Sequence, residues 1–229
     1  MSGVEDIAAP EIVAIESKSA LGAVNSYLVK AGPGFILVDT GFKMKRAQFD
    51  KALEGAGCRP GDLKLIVITH GDFDHIGNAA HLRGIYGAPI AMHEGDAGMA
   101  ERGDMFWNRK SANVLFKAVA GVLLFLLQMK PERFTPDILL GDGDDLSSYG
   151  LNARVIHLPG HSSGSIGILT ASGDLFCGDL LENIKGPRPG SIVDDRASLM
   201  DSLQKVKNSR AKTIYPGHGK PFPLSQLVL

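Results

Sequence analysis

At 229 residues the chain is long enough to bury one large core or two small ones. With 24 Lys plus Arg against 25 Asp plus Glu, its net charge of -1 offers no basic excess for a polyanion and argues against a nucleic-acid partner. Hydrophobic residues at 44% and charged residues at 21% exclude bulk disorder, and Cys58 and Cys177 alone make no disulfide framework.

Residues 1–15 show no basic region followed by a long apolar core, so no secretory signal is read and the expected location is cytoplasmic. Residues 11–16, 24–29 and 35–39 read as strands, rich in β-branched and aromatic side chains and bounded by Gly and Pro. Residues 43–55 read as a helix with an imperfect apolar stripe, stopped by Gly57 and Pro60. Residues 63–69 (LKLIVIT) form a nearly continuous apolar strand of the kind covered on both faces, running straight into His70. A helix over 75–86, a strand over 89–92 and a helical stretch over 94–129, broken near Gly103, follow. Strands at 138–140, 154–158, 165–170 and 174–177, a helix at 196–207 and a last strand at 213–215 complete the chain. Strand pairs mixed with helices predict a sheet-centred α/β or α+β class.

One stretch, 118–127 (AVAGVLLFLL), is apolar on every side. As a helix it covers about 15 Å, half of a bilayer core of about 30 Å, so it cannot span alone. Core packing or contact between copies of the chain is the favoured reading, ahead of a wall of an apolar substrate pocket. Membrane contact ranks last, because only Arg109, Lys110 and Lys117 supply a basic face.

The chemistry concentrates in residues 69–78 (THGDFDHIGN). His70, Asp72, Asp74 and His75 place four metal-ligating side chains within six residues, at the end of a buried strand. Imidazole with carboxylate suits zinc, iron or manganese. Four ligands are too many for one catalytic ion with an open position, and suggest two neighbouring ions. Three more candidates stand in Gly-rich turns after strands: His161, Asp179 and His218.

These motifs resemble the metallo-β-lactamase-fold superfamily, whose signature is His-x-His-x-Asp-His followed by a distal His, a bridging Asp and a last His. Asp39-Thr40-Gly41 and the segment 25–29 (NSYLV) are similar to it as well, so the resemblance runs from about residue 12 to 222. It implies a four-layer αβ/βα sandwich in a single domain over 1–229, with a helical insertion at about 95–136 that sets specificity. It implies that His70, Asp72 and His161 face a first metal, that Asp74, His75 and His218 face a second, and that Asp179 bridges them. Asp72 departs from the pattern, standing where the common motif has His. Its charge should shift the first site from zinc somewhat toward iron or manganese; zinc leads at the second. Asp39 reads either as the acceptor that orients a ligand His or as a turn residue. Cys177 and Tyr215 read as buried strand residues, and His81, His93 and His157 lie outside the motifs.

The implied activity is that of a binuclear metallohydrolase for thioesters, lactones or other esters, in which a hydroxide held by the two ions attacks and Asp74 also carries a proton. No Gly-x-Ser-x-Gly elbow offers a protein nucleophile. The alternatives are a phosphodiesterase and a non-haem iron redox protein of the same fold, a di-iron reductase or a sulfur dioxygenase, for which Asp72 speaks. The expected partner is a small-molecule substrate, with a second copy of the chain docking through 118–127 as a further option.

Overall fold

The computed structural model describes residues 9–19, 22–110, 119, 121–122 and 130–228. Its first sheet takes six strands in chain order: β1 (Ile12–Ser19), β2 (Gly22–Ala31), β3 (Gly34–Val38), β4 (Leu63–Val67), β5 (Ile90–Met92) and β6 (Ile138–Leu139). Strands β1 to β3 are joined as antiparallel neighbours, whereas β3 to β6 pair in parallel. Parallel neighbours need crossovers, and α1 (Arg46–Gly55), α2 (Ala79–Tyr86) and α3 (Glu94–Arg102) lie in those connections. The second sheet contains β7 (Ala153–His157), β8 (Ile166–Thr170), β9 (Asp174–Asn183), β11 (Thr213–Gly219) and β12 (Phe222–Pro223), ordered β12-β11-β9-β8-β7, with β10 (Arg188–Pro189) paired to the end of β9. Here β9 and β11 are parallel, and α4 (Arg196–Lys207) lies between them in the chain.

Alternation of side chains along each strand builds the layers. Ile36 and Val38 of β3 and Leu65 and Val67 of β4 point inward, where they meet Val155, Ile168 and Phe176 of the second sheet. Leu37, Ile66 and Ile68 point the other way, onto Phe49 and Leu53 of α1 and Leu82 of α2. On the far side Leu175, Cys177, Leu181 and Ile214 are covered by Leu199, Leu203 and Val206 of α4. Helix, sheet, sheet and helix therefore stack as four layers, as expected. The buried apolar strand over 63–69 is the centre of the first sheet, covered on both faces.

Several boundaries differ from expectation. The predicted helix over 75–86 begins only at Ala79, because residues 72–78 are spent on a turn: His75 N–H and Ile76 N–H both donate to the Asp72 carbonyl, at 2.9 and 3.0 Å. Strands β9 and β11 run on to Asn183 and Gly219, well past 177 and 215, because their parallel pairing resumes after bulges around Pro216. Helix α3 ends at Arg102 on Gly103, whose φ of 61° closes the turn. The 118–127 segment lies mostly outside the described residues; Val119, Gly121 and Val122 are described, and all three are exposed. Among the described residues no helix is long and apolar enough to cross a membrane.

Candidate metal centre

The site forms where strand ends from both sheets meet. The chain leaving β4 is pinned before it turns: Ile68 N–H donates to Ala91 O, Thr69 N–H to the Asp39 carboxylate, and Ile166 N–H to Thr69 O. The turn that follows is packed on the loop after β3, where Thr40 N–H and Oγ1 both donate to His75 O, at 2.7 and 2.8 Å. His161 comes from the loop between β7 and β8, Asp179 from β9 and His218 from β11. Bulging at Pro216 re-aims β11 at the site. Three bonds from β2 hold it there: Tyr27 Oη to Pro216 O at 2.7 Å, and Asn25 Nδ2 to Pro216 O at 3.2 Å and Gly219 O at 2.6 Å. At Gly217 only a hydrogen fits, since a Cβ would collide with Asp179 Oδ1 and stand 2.7 Å from His75 Cε1.

All seven predicted side chains come together. Their ligand atoms fall into three overlapping groups, each within 4.8 Å: His70, Asp72 and His161; His70, His75 and Asp179; and Asp74, His75 and His218. The outer nitrogens of the imidazoles decide how these atoms are presented. His161 Nδ1 faces Ile192 O at 2.9 Å, and His218 Nδ1 faces Ala23 O at 2.6 Å. A carbonyl only accepts, so both Nδ1 atoms carry the hydrogen and donate. His75 Nδ1 donates to Asp39 Oδ2 at 2.8 Å. Thr69 Oγ1 donates to that same carboxylate, which leaves it to accept from His70 Nδ1 at 3.0 Å. In the neutral rings every Nε2 is then a lone pair aimed at the centre.

Asp179 sits among them, its Oδ1 3.2 Å from His75 Nε2 and its Oδ2 3.2 Å from His218 Nε2. His70 Nε2, His75 Nε2 and Asp179 Oδ1 are buried without a hydrogen-bond partner, the orphaned donor set that a divalent cation would satisfy. Burial disfavours charge on every imidazole here. At His218 the carboxylates of Asp179 and Asp74 outweigh burial and hold its pKa up at about 9. His75 is raised too, against its burial, by Asp179, Asp39 and Asp74. His70, buried and facing His75 and His161, is instead pushed down. The cluster is thus a strong attractor of positive charge.

One member of the cluster is not expected from the sequence. Arg109, read there as part of a thin basic face, is only 6% exposed and enters the centre from the turn after α3. Its Nη2 donates to Asp72 Oδ1 at 2.5 Å and lies 3.3 Å from His161 Nε2; its Nη1 donates to His161 O at 3.0 Å and its Nε to Met105 O at 3.1 Å. Asp72 Oδ2 remains turned to His161 Nε2 at 3.1 Å and His70 Nε2 at 3.7 Å. Burial alone would raise the Asp72 pKa, but Arg109 and the two histidines hold it well below the usual carboxylate range. The charge that Asp72 brings is therefore met by a guanidinium that no motif in the sequence announces. Asp96 is a second unforeseen participant. Fully buried, it accepts from Gly71 N–H and Ser162 Oγ through Oδ2 and from Gly164 N–H through Oδ1, clamping the first motif to the His161 loop.

The remaining histidines stay out. His81 pairs with Asp50 at 3.0 Å, and His93 stacks on His157 with ring centres 4.2 Å apart. Cys177 is buried under α4, its thiol pushed up to about 12 by burial, and Tyr215 packs on Tyr27 and Phe176. A cleft of about 350 Å³ opens onto the centre, walled by Phe42, Phe73, Met105, Ile184 and Ile192.

The sequence profile of the metallo-beta-lactamase superfamily matches residues 20–218. The chain belongs to that superfamily. It is 48% identical over 217 residues to the human metallo-beta-lactamase domain-containing protein 1, covering 90% of this chain and 66% of that protein. It is 27% identical over 226 residues to the human acyl-coenzyme A thioesterase MBLAC2, covering 89% of this chain and 75% of the relative. Among solved structures it superimposes on a metallo-beta-lactamase family protein from Thermus thermophilus with a TM-score of 0.70 and 25% identity, covering 94% of this chain and 75% of the other. The chain spans 61–66% of the length of two of the curated relatives it matches.

Proposed function

We propose that this metallo-beta-lactamase superfamily member is a metal-dependent hydrolase of thioesters and related carboxylic esters. The observation that carries the reading is the set of four Nε2 lone pairs, each fixed by a donor bond at Nδ1 and all converging on Asp179. His70, Asp72 and His161 would hold one divalent ion, Asp74, His75 and His218 a second, and Asp179 would lie between them. Zinc suits the imidazole-rich donor set. Ions bound there supply Lewis acidity and an activated water.

The chain's own groups do the rest. Asp39 and the Ala23 and Ile192 carbonyls keep the imidazoles turned inward. Asp74 is the group assigned to carry a proton: it lines the cleft, and its Oδ2 stands 3.6 Å from His218 Nε2. The aromatic and aliphatic side chains that wall the cleft favour an acyl group. The named activity of the human thioesterase relative points the same way. A redox reading leans on Asp72 as an extra negative ligand, and Arg109 offsets that charge.

A panel of an acyl thioester, a lactone, a carboxylic ester and a phosphodiester, run on metal-loaded protein, tests the proposal. Thioester or ester hydrolysis should dominate and disappear in His218→Ala and Asp179→Ala. Oxygen uptake with a thiol or persulfide substrate, without hydrolysis of any ester, would reverse the choice in favour of the iron redox alternative.

A further inference from the structure

The superfamily motif has a neutral imidazole where this chain has the Asp72 carboxylate, and the exchange alone would add a negative charge to the corner built by His70 and His161. The structure supplies the answering charge from a separate segment. Arg109 brings a guanidinium, and its planar fork is held in three directions: by Asp72 Oδ1, by the backbone carbonyl of His161 and by that of Met105. The backbone that presents it is fixed as well. Asn108 just before it takes a left-handed φ of 64°, and Lys110 N–H just after it donates to Asp194 Oδ1 at 2.7 Å. A guanidinium this deeply buried requires a counter-charge, and Asp72 supplies it. The second oxygen of Asp72 stays directed at the lone pairs of His161 and His70.

We propose that Arg109 is a positioning residue of the metal centre: the Asp72–Arg109 pair acts as one unit, offering a cation at this corner a single oriented oxygen donor with no added net charge, as an imidazole would. The proposal rests on the metal-binding reading above. It makes the two substitutions interdependent. Asp72→His alone strands a buried guanidinium beside the cations and repels them, whereas Asp72→His with Arg109→Met removes the pair together.

The test is a double-variant cycle read by Zn2+ affinity and stoichiometry, in competition with a chromogenic chelator. Asp72→His should weaken binding at this corner on the order of 100-fold, by leaving one member of a buried pair uncompensated. Adding Arg109→Met should return the affinity to within about 10-fold of wild type, the scale of a lost orienting contact. Asp72→His with Arg109→Lys keeps the charge and should not recover. If Arg109→Met alone misfolds because it strands Asp72, the double variant still decides, since it buries no unpaired charge. Equal losses from Arg109→Met in both backgrounds would make Arg109 a mere brace and overturn the proposal. So would a rise in stoichiometry on Arg109→Met alone, which would mean that the guanidinium takes an ion's place. Wild-type protein that binds no Zn2+ would instead remove the metal reading itself, and this proposal with it.

Discussion

Asp39 shows how a single residue sets the chemistry of the centre. It is one of two non-glycine residues with positive φ among those described, at 61°. That conformation costs on the order of 1–3 kcal/mol and persists only where the surroundings fix it. Here one oxygen accepts from Thr69 N–H and the other from Thr69 Oγ1 and His75 Nδ1, each at 2.8 Å. Asp39→Ala should therefore weaken metal binding by about 10–100-fold, the usual scale for an orienting partner of a ligand histidine. Chelator competition measures this directly, and an unchanged affinity would mean that His75 needs no such support. At this scale the sequence is informative about ligand chemistry, because His70, Asp72, Asp74 and His75 crowd six positions. It is silent about Arg109. Nothing local separates that residue from Lys110, yet one guanidinium is buried on Asp72 while the neighbouring ammonium is exposed on Asp195. Only the fold, which brings the turn after α3 against the first motif, distinguishes them.

Among the elements, α4 is the most legible. Its expected bounds of 196–207 are those observed, since Leu199, Leu203 and Val206 repeat at helical spacing and Asp195 caps the first turn by accepting from Ser198 N–H at 3.1 Å. Removing that cap with Asp195→Ala should cost about 1 kcal/mol of stability, seen as a lower midpoint of chemical denaturation at unchanged slope. The Lys110 ion pair is too exposed to add much to that figure. Elements next to the site are harder to read. Pro216 and Gly217 look like strand breakers. Yet β11 continues past them because β9 offers a parallel partner and β2 bonds the bulge from the other sheet. Likewise α2 starts late because His75 and Asn78 are occupied elsewhere, the Asn78 amide donating to Thr40 O at 2.7 Å and Phe42 O at 3.1 Å. In each case a long-range contact overrides a local signal.

At the scale of the molecule, two sheets share one apolar interior, and helices cover their outer faces. Strand ends from both sheets are thereby held rigidly enough to gather seven polar side chains from separate segments of the chain around one point. The same arrangement couples stability to the centre, because a cation that binds the folded chain and not the unfolded one stabilises it by about 2.7 kcal/mol at a concentration about 100 times its Kd. The most direct measurement is a titration of Zn2+ into chelator-stripped protein, following bound metal, thermal midpoint and acyl-thioester hydrolysis on the same samples. Stripped protein should be inactive and less stable, and both properties should return in step with bound metal in the wild type but not in Asp179→Ala. Full hydrolysis by metal-free protein, or metal uptake undiminished in Asp179→Ala, would contradict the assignment of this cluster as the catalytic metal centre.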